Sequence, residues 1–171
     1  MCRMKYTLRP LPRLTLRLFL MLTFLVGSIG CLSSCDSPFS NQQDDEVNVW
    51  KTDPNCQLHQ GACTIRNGSQ SVTLDISPNN PIPVAHLLDA TVKLKGFHPQ
   101  NVQIDIAGIN MYMGYNRTTL IPLANQPNLY HNKIMLAFCT SEKMDWEISV
   151  LITKKDNHIV KVPFQLSTRS R

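Results

Sequence analysis

From Val72 onward, the chain places an apolar residue at every second position in a series of short segments. Val72, Leu74 and Ile76 form one such series, followed by Val92 and Leu94, then Val102, Ile104 and Ile106. Ile134, Leu136 and Phe138 continue the pattern, as do Trp146, Ile148, Val150 and Ile152, and then Val160, Val162, Phe164 and Leu166. Side chains of a strand point alternately to its two faces, so this period predicts strands with one buried side. No stretch keeps helical spacing for three turns. The breaks carry turn chemistry: Asn67-Gly68, Pro78 to Pro83, His98-Pro99, Asn125 to Asn128, and Lys154 to Asn157. Around seven short strands in this length predict an all-β fold, an immunoglobulin-like antiparallel β-sandwich. Pro163 removes a ladder donor, which places it on an edge strand or at a bulge.

The opposite pattern governs the N-terminus. Leu18 to Gly30 is an uncharged, mostly apolar run of thirteen residues preceded by Arg3, Lys5, Arg9, Arg13 and Arg17. That is the length of a signal-peptide core and well below the ~20 residues a spanning helix needs. A retained signal anchor is the competing reading. Gly30-Cys31 and Leu32-Ser33-Ser34-Cys35 each resemble the bacterial lipoprotein box, in which small residues precede a cysteine that is lipidated. Cys35 has the expected Leu32 three residues before it; Cys31 lies closer to the apolar run. Asp36 directly after Cys35 resembles an inner-membrane retention signal, which Leu32 after Cys31 does not. The expectation is a lipid anchor at Cys35 or Cys31, on a bacterial envelope protein facing the periplasm; an ordinary cleaved signal, whose two cysteines pair or do nothing, is the alternative.

Residues 36–55 are polar, acidic and poor in aliphatics, too little apolar surface to offset ordering entropy, and they read as a flexible tether. The expected organisation is a signal peptide over 1–35, this tether, and one domain over 56–171, since about 115 residues suffice for one domain and not for two.

Charge looks at first like a nucleic-acid signal, with a formal net charge of +5. All of the excess lies in residues 1–35; the remainder carries twelve basic and twelve acidic residues. A neutral domain offers no footprint for a phosphate backbone, so no nucleic-acid partner is expected.

Three cysteines fall in the domain: Cys56, Cys63 and Cys139. In an oxidising compartment two of them pair. Cys56 and Cys63 flank a turn containing Gly61 and are the expected disulfide. An inter-sheet Cys63–Cys139 bridge is the competitor.

Asn110-Met111-Tyr112-Met113-Gly114-Tyr115-Asn116 stands out, together with Tyr130 and the stretch from Cys139 through Met144 to Trp146. Over residues 90–166 the chain resembles the FixH-like and YtkA-like group of bacterial envelope domains. These have a Met-containing segment ending in a small residue, a Gly/Asn-rich turn with Tyr, and a strand opening on Trp. It departs from the group by lacking Met-Pro and Met-x-His elements, having Met-Tyr-Met-Gly instead. The resemblance implies a β-sandwich linked to copper supply or respiratory oxidase assembly, hence an envelope or respiratory protein partner. The residues permit that chemistry independently. On a strand, Met111 and Met113 share one side about 7 Å apart. If β-alternation continued unbroken, both would lie opposite the core face of Val102, Ile104 and Ile106, and Cys139 would be out of phase with Ile134, Leu136 and Phe138. Gly108 offers a place for a bulge that resets this parity, and methionine is a common gap filler. Thioether and thiolate ligands select Cu(I), making Met111, Met113, Cys139 and Met144 the candidate metal ligands; packing is the alternative.

His59, His86, His98, His131 and His158 are scattered singly. No nucleophile elbow, phosphate loop or dinucleotide fingerprint occurs, and no enzymatic activity is expected. Two functions follow as expectations: a membrane-tethered accessory handling Cu(I), or a metal-free β-sandwich that binds or scaffolds protein.

Overall fold

The computed structural model describes residues 47–114 and 116–169. The signal segment, Cys31, Cys35 and residues 36–46 of the expected tether lie outside the described residues.

The chain enters through β1 (Val47–Val49), passes a 3-10 turn η1 (Leu58–Gln60), and builds β2 (Cys63–Asn67), β3 (Gln70–Ser77) and β4 (Leu88–Lys95). It continues with β5 (Pro99–Gly108), β6 (Asn116–Thr119), β7 (Ile121–Pro122) and β8 (Leu129–Ile134). The long strands β9 (Lys143–Lys154) and β10 (Ile159–Arg169) complete it. One sheet has the order β1-β10-β9-β5-β6, the other β2-β3-β4-β8-β7. Every pairing is antiparallel except β1 on β10. Read in chain order, β3-β4-β8-β7 reproduces the ABED sheet of an immunoglobulin-type sandwich and β5-β9-β10 its CFG sheet.

Alternation accounts for the core. Val72, Leu74 and Ile76 face Val102, Ile104 and Ile106 across the interior, with Ile148, Val150, Val162 and Phe164 closing it, all almost fully buried. Trp146, on β9, is 1% exposed and donates its indole N–H to Thr168 Oγ1 at 2.9 Å, so its one polar atom is satisfied inside the core. At the other end Trp50 packs on Phe97 with ring centroids 5.9 Å apart. Among the described residues, β10 has no strand paired on its β1 side beyond Lys161, which places Pro163 on an edge.

Three expectations need correction. The described strands number ten, not about seven, because β1, β6 and β7 are short edge pieces with no apolar period to show. The strand expected at 134–138 runs instead over Leu129–Ile134, where the inward positions Tyr130 and Asn132 hide the alternation. Residues 47–50, expected within the tether, pair with the domain: Val47–Val49 lie against Ile159–Lys161, and Trp50 donates its N–H to the Lys161 carbonyl at 2.9 Å. Burying Trp50 is worth enough to order a stretch that its polar neighbours would leave free.

Cys56 and Cys63 are disulfide-bonded, with Cα atoms 5.5 Å apart, and Cys139 is free. Closing so short a loop removes unfolded-chain freedom worth about 2 kcal/mol. It also fixes η1, and with it buried Leu58, beside β10.

Candidate metal centre

The ends of β5, β8 and β10 and the start of β9 meet at one pole. The chain enters the domain at the opposite pole, where Val47 lies beside Ile159, the first residue of β10. The eleven-residue length of β10 separates the two by ~30 Å.

At Gly108 the β5 ladder stops, and a side chain takes over from the backbone. Ile109 N–H still reaches the Asp145 carbonyl at 2.7 Å. The Asn110 amide then donates to the Lys143 carbonyl at 3.0 Å and accepts the Asp145 N–H at 3.0 Å, occupying the next rung of β9 with its own carboxamide. The main chain is thereby released into an irregular loop. Met111 and Met113 lie in that loop and not on a strand, so the shared-face geometry does not hold. The loop folds back over Gly108 instead. A Cβ at this position would collide with the Met111 carbonyl, lie 2.5 Å from Met144 Cε and stand 3.2 Å from Met113 Cγ. The Met111 backbone and the Met113 and Met144 side chains, from three of the four candidate ligands, thus close around Gly108.

Their exposures differ. Met111 is 42% exposed, Met113 is half-buried against the core, and Met144 lies on the inner face of β9, 2% exposed. Met144 therefore packs beneath the cluster.

Cys139 joins from the β8–β9 connection. Its Sγ stands 3.5 Å from Met111 Sδ and accepts the Ser141 N–H at 3.4 Å. The Ser141 backbone amide, followed by its side chain, pulls the thiol below its ordinary pKa; partial burial opposes this and the Thr140 amide adds to it. A depressed thiol presents thiolate, the metal-binding form, at a lower pH than an ordinary cysteine does. Two sulfurs sharing one ion at bonds of about 2.3 Å stand roughly 3.8 Å apart or more. The pair fits that spacing after an opening of a few tenths of an ångström, which the exposed Met111 side can supply.

Neighbouring polar groups brace the loop. Asp145 accepts from the Ser167 hydroxyl at 2.5 Å and pairs with Lys143 at 2.9 Å, and both contacts, the hydroxyl first, hold its carboxyl below the usual range. Tyr130, part of the sequence pattern noted above, lies on β8 opposite Val92 of β4 and takes no part in this bracing; burial pushes its phenol up. Among the described residues no three His, Cys, Asp or Glu side chains converge as metal ligands, so a site here depends on thioethers. Beside the cluster runs an open groove of about 880 Å³ bounded by Pro81, Val84, His86, Phe138, Glu142 and Arg169. His59, isolated in the sequence, bonds across this region, and no spacing signal marks it. Asn110 was legible only as part of the methionine segment.

No protein-family model matches the chain, and no curated protein matches it.

Proposed function

We propose that this chain is an exported, membrane-tethered envelope accessory that binds Cu(I) through Cys139 and Met111, with Met113 as the adjacent third sulfur. The observation that carries the reading is the 3.5 Å approach of the Cys139 and Met111 sulfurs, from connections 28 residues apart, at a half-exposed position. A soft thiolate–thioether pair favours Cu(I) over hard cations. The pole opposite the incoming chain is also where such a site would be open to a protein that delivers or receives the ion. The resemblance to FixH-like and YtkA-like envelope domains points the same way.

A second reading, a metal-free protein-binding sandwich, is favoured by a different observation. Leu87, Ile109, Tyr112, Met135 and Phe138 are large, apolar and exposed, and all lie in loops of this pole. Patches of that kind mark protein contact surfaces.

Competition against a colorimetric Cu(I) chelator under reducing conditions separates the two. The wild-type protein is expected to take up Cu(I) stoichiometrically. Cys139→Ser and Met111→Leu each lower the affinity at least about tenfold, or ~1.4 kcal/mol, whereas Met144→Leu leaves it unchanged. No uptake by the wild type, or equal uptake by all variants, leaves only the protein-binding reading.

The tether is tested separately. The Cys31→Ser, Cys35→Ser double variant is expected to leave the membrane fraction on high-salt washing, because a lipid chain is then lacking. Complete retention points instead to an uncleaved apolar N-terminal segment.

A further inference from the structure

His59 lies in η1, inside the turn closed by the Cys56–Cys63 disulfide. Its Nδ1 is 3.0 Å from the Ile82 backbone nitrogen, and its Nε2 is 2.8 Å from the Ser167 carbonyl oxygen. A backbone amide can only donate and a carbonyl can only accept, so Nδ1 carries the lone pair and Nε2 the hydrogen. Both bonds therefore require the neutral ring in one tautomer. A single imidazole in this state ties together three segments that are remote in sequence: η1, the β3–β4 connection at Ile82, and the end of β10.

We propose that His59 is an acid-released clasp, holding the 81–84 wall of the groove against β10 when neutral and freeing it when protonated. A proton on Nδ1 replaces the acceptor by a donor that faces the Ile82 N–H. Ile82 is 2% exposed, so its amide must leave the buried position to find another partner. The bond to Ser167 survives protonation, because Nε2 remains a donor. The release is thus directional: residues 81–84 move and η1 stays on β10. The charged and titratable groups around the ring come from each neighbouring segment. Glu142, His86 and Arg169 line the same groove as the ring, and Asp145 is engaged by Ser167 and Lys143. On β3, Asp75 sits between buried Leu74 and Ile76 and so points to the outer face, away from η1. The neutral and the protonated ring thus give the groove two states. The clasp is independent of the copper reading, since it shares no residue with the sulfur cluster.

Nitrogen NMR of the full chain in detergent micelles tests it. As the pH is lowered from neutral, the His59 ring is expected to change from hydrogen on Nε2 only to hydrogen on both nitrogens. Over the same change, exchange of the Ile82 amide, corrected for intrinsic pH dependence, accelerates at least ~tenfold while that of Val72, in the core of β3, does not. His59→Gln cannot titrate but keeps a donor for Ser167, and in it the Ile82 response to pH is lost. A ring already protonated or carrying hydrogen on Nδ1 at neutral pH overturns the proposal. So does an Ile82 amide whose protection changes with pH no more than in the His59→Gln protein.

Discussion

Replacing Trp146 with alanine lowers the unfolding free energy by about 3–5 kcal/mol, the range for truncating a large buried aromatic. Trp146 is among the largest fully buried side chains of the sandwich, sits on the central strand β9, and faces Leu166 in the register with β10. Its removal opens a cavity that strands fixed on both sides cannot collapse into. The indole contributes a second, separable part. Thr168→Val keeps the shape but leaves the Trp146 N–H without its acceptor, which costs about 1–3 kcal/mol. Urea unfolding of both variants measures the two effects. A loss below ~1 kcal/mol for Trp146→Ala would show that the core closes around the gap, contrary to the packing described above.

Gly108→Val is expected to destabilise the domain by about 3 kcal/mol and to abolish Cu(I) uptake in the same protein. Gly108 does not serve a left-handed turn; the constraint is contact. Its missing side chain makes room for the Met111 carbonyl, the Met144 methyl and Met113 Cγ. A valine must push out backbone, since the carbonyl cannot rotate away without breaking the loop that Asn110 pins to β9. Met111 is carried off with it, and the sulfur pair separates. Ala107→Val, on the exposed neighbouring position of β5, is the control and changes stability by no more than ~0.5 kcal/mol. Equal stability of the Gly108 and Ala107 variants would refute the close approach at Gly108.

The interior strands could be read from the chain because their inward positions are uniformly aliphatic. In β3, β4 and β5, and in β10 apart from buried Pro163, the alternation in the sequence and the alternation in burial coincide. The reading weakened wherever a strand lies at an edge or points polar groups inward. β8 carries Asn132 on its inner side, where its amide bonds the Thr119 carbonyl, and so shows no apolar period. β1 was lost inside a polar average that concealed Val47, Val49 and Trp50. At the candidate site the residue types were legible but their arrangement was not. A shared strand face for Met111 and Met113 required alternation to run on past Gly108, and nothing in the sequence reveals that the Asn110 side chain ends the ladder. The Cys139–Met111 approach depends on two loops being brought to one pole by the sheet order, which no local pattern encodes. His59 carries no motif; its role arises from two backbone groups 23 and 108 residues away.

X-ray absorption at the copper edge of the protein loaded with Cu(I) tests the central claim most directly. The account predicts a first shell of sulfur alone, at about 2.3 Å by analogy with other thiolate sites, which loses a scatterer in both Cys139→Ser and Met111→Leu. A shell of nitrogen or oxygen, or a sulfur shell that neither substitution alters, would contradict it.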